Sequence, residues 1–225
     1  MGTIAVTTLF GTVRQVLQDA DGVRWTDLEL LSYLNEGQRA ILTFKPNAYV
    51  RSDVVKLGTG TRQNLPADGV QLIDIPRNMG TSGATPGRAI RIVKRELLDA
   101  KVPRWHAADP VAEAKHYMYS PLQPKHFLVY PPQPATLQGY VEIVYGALPP
   151  DTTLNGAITV DDIYEAALID YVLHRSFAKD TEFAADQSRS AQHFQAFVYA
   201  LTGKAKNEVG VNPNMTAPAK PKTIS

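Results

Sequence analysis

Two helical stretches, at about residues 8–45 and 161–203, are separated by about a hundred residues that read as strands and turns. Neither stretch is long enough to bury its own apolar face well. The economical solution packs the first helix pair against the last, with a β-rich module inserted between them and the chain ends near each other. The expected class is α+β: a four-helix bundle built from N- and C-terminal helix pairs, an inserted antiparallel β-rich module, and a flexible C-terminal tail. The corresponding divisions are residues 1–48, 49–156, 157–204 and 205–225.

The helical punctuation is explicit. Leu9, Val13, Val16 and Leu17 recur at helical spacing, and Asp19, Asp21 and Gly22 close that segment with turn chemistry. Trp25 then precedes Thr26, and Glu29 follows three positions later, which is a capping box with an apolar residue at the staple position. In the helix that starts there, Leu30, Leu31, Leu34 and Ile41 share one face, while Glu29, Asn35, Gln38 and Arg39 are expected elsewhere on the surface. Lys45 and Pro46 end it. After Pro149 and Pro150, Asp161 and Asp162 open a third helix, apolar nearly all round from Ile163 to Leu173 and therefore central. Asp180 and Thr181 restart the chain into a fourth helix, with Ala184, Ala191, Phe194, Val198 and Leu201 at core spacing and Gly203 as the stop.

Between the helices the apolar period shortens. Strands are expected at 49–57, 70–75, about 90–93, 116–119, 126–130 and 140–145, with a turn around Gly58 and Gly60 and a short helical turn over 95–100. Residues 76–87, rich in Gly, Ser, Thr and Pro, read as an exposed, mobile loop. A small antiparallel sheet or sandwich is the natural product. Tyr117, Tyr119, Phe127, Tyr130, Tyr140 and Tyr145 crowd the later strands, and Tyr117, Tyr119 and Tyr130 are candidates for a partner interface as well as for cross-strand packing.

Composition closes off most chemistry. With no cysteine there is no disulfide framework, thiolate metal site or cysteine nucleophile. The 23 basic and 22 acidic residues leave a formal net charge of +1, so strong nonspecific binding to a polyanion is not expected. No apolar run reaches membrane-spanning length, and the first fifteen residues lack a basic flank followed by an apolar block, so the protein is expected to stay in the cytosol unless something carries it out. His106, His116 and His126 fall near Asp109 and Glu113, but no spacing places two of them on one face as metal ligands. Asp161, Asp162 and Glu165 fit first-turn capping, and Ser120 and Ser176 lack a nucleophile elbow. No catalytic, metal or cofactor residue is expected. The last 22 residues lose periodicity and carry Pro213, Pro218 and Pro221 with four lysines; alone they are expected to be disordered.

Several runs taken together resemble a family. They are Trp25-Thr-Asp-Leu-Glu-Leu-Leu-Ser-Tyr-Leu-Asn-Glu-Gly-Gln-Arg-Ala-Ile, Arg95-Glu-Leu-Leu-Asp, Phe127-Leu-Val-Tyr-Pro-Pro, Val141-Glu-Ile-Val-Tyr-Gly-Ala-Leu-Pro-Pro and Tyr171-Val-Leu-His-Arg-Ser-Phe-Ala-Lys-Asp. In this order and spacing, from about residue 9 to 203, they resemble the head-to-tail adaptor (connector) proteins of tailed bacteriophages, most like those of short-tailed phages. The resemblance implies a structural virion protein without enzymatic activity. It implies a ring, commonly of twelve subunits, in the neck between portal and tail, assembled in the host cytoplasm. The partners it implies are the portal protein, the tail nozzle or tail tube, tail fibres in some short-tailed phages, and copies of itself, with genomic DNA passing through the lumen unbound and no membrane involved. By the same resemblance the C-terminal segment extends onto the portal, which makes Lys204, Lys206, Val209, Val211, Met215, Lys220 and Lys222 interface candidates. Another tail completion or tail-fibre attachment protein remains open, as does a tail hydrolase using Asp161 or Glu165.

Overall fold

The structure, a computed structural model, describes residues 2–179 and 184–211, with the backbone alone at 184 and 204–211. Its helices are α1 (Val6–Leu17), α2 (Asp27–Phe44), α3 (Arg95–Lys101), α4 (Glu165–Ala178) and α5 (Ala184–Val211). Its strands are β1 (Val50–Lys56), β2 (Gly60–Asn64), β3 (Gly69–Asn78), β4 (Arg91–Ile92), β5 (His116–Tyr119), β6 (His126–Gln133) and β7 (Tyr140–Ala147). The chain divides into two compact units, one of Met1–Lys45 with Asp151–Ser225 and one of Pro46–Pro150.

The helical unit departs from the expected bundle of two helix pairs. Among the described residues there are five α-helices rather than four, the fifth being α3 in the β-rich unit. α1 and α2 touch each other little; both pack on α4, which also carries most of the contact with α5. The cause lies in where the apolar side chains point. Leu9, Phe10, Val13 and Leu17 of α1 and Leu30, Leu34 and Ile41 of α2 are all buried, and α4 buries Ala167, Leu168, Tyr171, Val172, Leu173 and Phe177 among them. A helix with so broad an apolar surface acts as a hub. Gly37 permits the close approach of α2, since a Cβ there would stand 2.9 Å from the Tyr171 ring.

The turn between α1 and α2 is built by one carboxylate. Asp19 accepts from the N–H groups of Val23 (3.0 Å), Arg24 (3.2 Å) and Trp25 (3.0 Å), and these bonds, Trp25 foremost, hold its pKa below the usual aspartate value. The Thr26 hydroxyl then accepts from Glu29 N–H at 3.3 Å, the expected cap of α2.

Two residues expected on the surface are buried instead. Asn35 and Gln38 are 8% and 1% exposed. The Gln38 carbonyl accepts from Thr159 N–H at 2.5 Å and Val160 N–H at 3.3 Å, and its amide donates to Asn35 Oδ1 at 3.1 Å. Asn35 exchanges bonds with Thr152 in both directions, at 2.9 and 3.2 Å. One turn of α2 thus secures the segment that leads into α4. The same segment receives the N-terminus: Ile158 N–H donates to Ile4 C=O at 3.0 Å and Val6 N–H to Gly156 C=O at 3.0 Å.

In α5 the buried stripe is Ser190, Phe197 and Leu201 rather than Ala191, Phe194 and Val198; Phe194 is 41% exposed. Phe197 meets Tyr171 and Phe44 edge-on, with ring centroids 5.1 and 5.9 Å apart, so aromatic contact sets the helix rotation. The helix also runs through Gly203, the expected stop, because this glycine does not adopt the left-handed conformation of a C-cap. Asp180 and Thr181, the expected restart, lie outside the described residues.

The β-rich unit is a two-sheet sandwich. β1, β7 and β3 form one sheet in that order, and β2, β6, β5 and β4 the other. It is mixed rather than purely antiparallel, because the two-residue β4 runs parallel to β5. Leu72, Ile75, Val141, Ile143 and Tyr145 of the first sheet pack with Tyr117, Phe127 and Val129 of the second. β2 lies where a turn and its exit were expected, since Thr61 and Gln63, its inward residues, carry no apolar signal. Gln63 folds back, donating to Gly58 C=O (2.8 Å) and Gly60 C=O (3.1 Å) while accepting from Gly58 N–H (2.6 Å). Asn78, 4% exposed, bridges Arg88 C=O and both backbone groups of Ala114 at 2.8–2.9 Å.

Replacing Gln38 with Ala leaves the N–H groups of Thr159 and Val160 unsatisfied, so unfolding free energy from denaturant titration should fall by about 2–3 kcal/mol. Arg39→Ala one position on, which removes only an exposed ion pair with Asp151, should cost at most about 0.5 kcal/mol. Asp162 supplies a pH test. Its carboxylate accepts from the Thr3 hydroxyl (2.7 Å), Thr3 N–H (2.6 Å) and Ile4 N–H (3.2 Å), and these bonds hold its pKa below the ordinary 3.8. A depressed carboxylate contributes stability above the unfolded-state pKa and loses it as pH falls through the folded one. Stability of the chain should therefore decline as pH drops below about 4, and Asp162→Asn should flatten that decline in acid titrations followed by circular dichroism.

Candidate functional site

The outer face of the four-stranded sheet carries an open concavity. Met118 and Leu128 point outward, on the opposite face from Tyr117, Phe127 and Val129. α3 and the turn Trp105–Ala107 cover part of this face, where Leu98, Trp105 and Met118 are buried together and the Trp105 indole N–H donates to Asp99 at 2.7 Å. Between that cover and the β5–β6 turn lies an open groove of about 1120 Å³. Met118 and Leu128 line it, with Arg62, Lys94, Arg95 and a single acid, Glu96. Arg95 is held by Asp99 at 3.3 Å, whereas Arg62 and Lys94 form no ion pair among the described residues. The groove combines an apolar floor with a cationic rim.

The tyrosines singled out by sequence separate. Tyr117 is 3% exposed, its hydroxyl donates to Asp74 at 2.9 Å, and burial pushes its phenol well above the usual value, so it belongs to the sandwich core. Tyr119 and Tyr130 are half-buried. Tyr119 lines the groove and donates to Pro124 C=O at 3.3 Å; Tyr130 packs edge-on to Trp105, with centroids 6.4 Å apart. Lys204, Lys206, Val209 and Val211 fall within α5, where only the backbone is described. Met215, Lys220 and Lys222 lie outside the described residues. On the described part of α5, Tyr199 is 80% exposed and Phe194 is partly exposed.

Titratable residues that invited a chemical reading are placed in separate structural roles. His106 Nδ1 meets the Thr61 hydroxyl at 2.8 Å and His126 Nδ1 meets Asn64 Oδ1 at 2.7 Å, while the buried Nδ1 of His116 has no partner among the described residues. Among those residues no group of three or more His, Cys, Asp or Glu is placed to hold a metal ion. Asp161 caps the turn before α4, accepting from Ile163 N–H at 3.0 Å, and Asp162 holds the N-terminus. Two histidines tie α4 to α5: His174 Nδ1 meets the Ser190 hydroxyl at 2.9 Å, and His193 Nδ1 meets Asp170 at 2.8 Å. Ser190 also donates to His174 C=O and is 7% exposed, so the pair acts as an interhelical clamp. Ser176, buried, donates to Val172 C=O within α4. No membrane-spanning length of apolar helix occurs among the described residues.

The groove was not foreseen from sequence, because it depends on a helix and a 3₁₀ turn laid over alternate residues of two strands. Its one local signal was the outward Met118 and Leu128 in strands whose other face is also apolar.

No curated protein matches the chain. The model of the SU10 adaptor protein family matches residues 4–219, a span that includes the whole sandwich and every described helix. With the helical runs, the strand runs and their spacing all inside that span, the chain belongs to the SU10 adaptor protein family, a family of phage head-to-tail adaptors.

Proposed function

We propose that this chain is the neck protein that joins the portal vertex of a capsid to the tail, assembling as a ring, commonly of twelve subunits, through which the genome passes. The observation that carries the reading is the family match across residues 4–219. The fold is consistent with a structural part. α4 unites the helical elements, buried amides hold crossings of the chain, and the open groove joins apolar to cationic residues. A ring forms when a heterologous contact repeats around an axis and the rotation closes. The near-zero net charge suits a conduit that DNA must leave without sticking.

In this reading the C-terminal residues from Lys204 through Val209, Val211 and Met215 to Lys222 engage the portal, and the β-rich unit, with Tyr119 and Tyr130 near its groove, faces tail components, tail fibres or neighbouring subunits. Of the two acids a hydrolase would use, Asp161 and Glu165, Asp161 is engaged as a cap, accepting from Ile163 N–H at 3.0 Å. The protein would then reside in the virion neck after assembly in the host cytoplasm.

Mixing the full chain with the portal protein of the same genome, and following mass by light scattering after size exclusion, should yield a complex carrying many copies per portal. A chain ending at residue 204 should lose that complex while keeping its thermal unfolding midpoint. Failure of the full chain to join the portal at any ionic strength, with binding to a tail or fibre protein instead, would replace this reading by a tail completion or fibre-attachment role.

A further inference from the structure

β1 is the outer strand of its sheet, and no other strand of the described residues borders it on the far side. Its ladder with β7 runs without a shift from Val50 opposite Gly146 to Lys56 opposite Tyr140, whereas β3 shifts register three times against the same neighbour. Two bonds fix the phase: Ala147 N–H donates to Tyr49 C=O and Leu57 N–H to Gly139 C=O, both at 2.9 Å. In an antiparallel pair only alternate residues bond across a given side, so the odd-numbered residues of β1 turn their backbone groups to β7. Those of Val50, Ser52, Val54 and Lys56 point away, towards the open edge. Edges are normally blunted by bulges, proline or brevity. This one has seven residues, no bulge and no proline, and Val50 and Val54 are 47% and 43% exposed.

We propose that the β1 edge pairs with the β1 edge of a second copy of this chain, antiparallel and centred on Ser52. Charge selects both the occupant and the register. With Ser52 facing Ser52, Val50 of each copy opposes Val54 of the other, and these three oppositions join outward-pointing backbone groups, each exchanging a pair of hydrogen bonds. The intervening positions set Arg51 of each copy against Asp53 of the other, in the closer type of cross-strand pair, where opposite charges attract. Centring on Arg51 would oppose two arginines, and centring on Asp53 two aspartates. Centring on Val54 would set Asp53 against Val55 and gain no charge pair. Within each chain Arg51 already bridges Asp53 at 3.0 Å and Asp68 at 2.7 Å, so Asp53, which shares that guanidinium, gains a second one. The two sheets become one continuous sheet about a twofold axis, and the contact is isologous and closes on itself. It is a property of the free chain that goes beyond the neck role and does not depend on it.

The chain has no cysteine, so single cysteines report the pairing directly. At a hydrogen-bonded antiparallel pair the Cα atoms stand about 5.5 Å apart, within the range a disulfide spans. Sedimentation of the unmodified full chain over a concentration series should show mass rising from 24.7 kDa towards twice that value. With diamide as oxidant, Ser52→Cys should become mostly disulfide-linked dimer while Val54→Cys stays largely unlinked. Ser52→Lys, which sets two ammonium groups face to face at an exposed position, should weaken dimerisation at least tenfold with an unchanged circular dichroism spectrum. A mass that stays at the monomer value at every concentration, with no cross-linking of Ser52→Cys, would overturn the proposal. So would faster cross-linking of Val54→Cys than of Ser52→Cys, which would mean the Val54-centred register.

Discussion

At several places where this chain crosses itself without a ladder of backbone bonds, a buried side-chain amide stands in for the missing backbone. An amide carries both a donor and an acceptor on one short stem, so it offers a passing strand what a neighbouring strand would offer. Gln38 and Asn35 do this for the segment entering α4, Asn78 for residues 88 and 114, and Gln63 for the turn at 58–60. Gln133, 1% exposed, does it for Val111 C=O (3.1 Å) and Gly139 N–H (2.9 Å). Each of these groups would cost free energy if left unpaired in the interior, and each is paired. The apolar cores supply the driving force, but these amides decide which segment lies against which.

The same logic explains which features could be read from sequence. The Thr26 cap of α2, the proline that follows its end, and the strands at 116–119, 126–130 and 140–145 are written in local patterns, and the structure has them in place. What escaped was decided by tertiary partners. Asn35 and Gln38 look like surface residues because their periodicity is polar, and only the segment at 152–160 explains their burial. β2 escaped for the same reason, with Thr61 and Gln63 inward. The rotation of α5 is set by Phe197, which meets Tyr171 and Phe44, and not by Phe194, a choice that the spacing of apolar residues does not encode.

The expectation of two helix pairs failed for a related cause. Apolar period tells that a helix has a buried face but not which neighbour covers it. Here α1 and α2 both turn to α4, and the link between them is chiefly the turn organised by Asp19. Among the interface candidates, Tyr117 shows the limit of composition: an aromatic-rich strand supplies both a core residue and a groove residue, and only the alternation of faces separates Tyr117 from Met118.

The helical unit is assembled from the two ends of the chain, with the whole sandwich spelled out between them. On a ribosome, Leu9, Phe10, Leu30 and Leu34 emerge long before α4, the surface that buries them, has been translated. The sandwich, whose strands are contiguous in sequence, is complete first, and the early helices must wait with apolar faces uncovered. A chaperone's best opportunity to hold this protein is therefore set by the order of synthesis, and it ends when α4 leaves the exit tunnel.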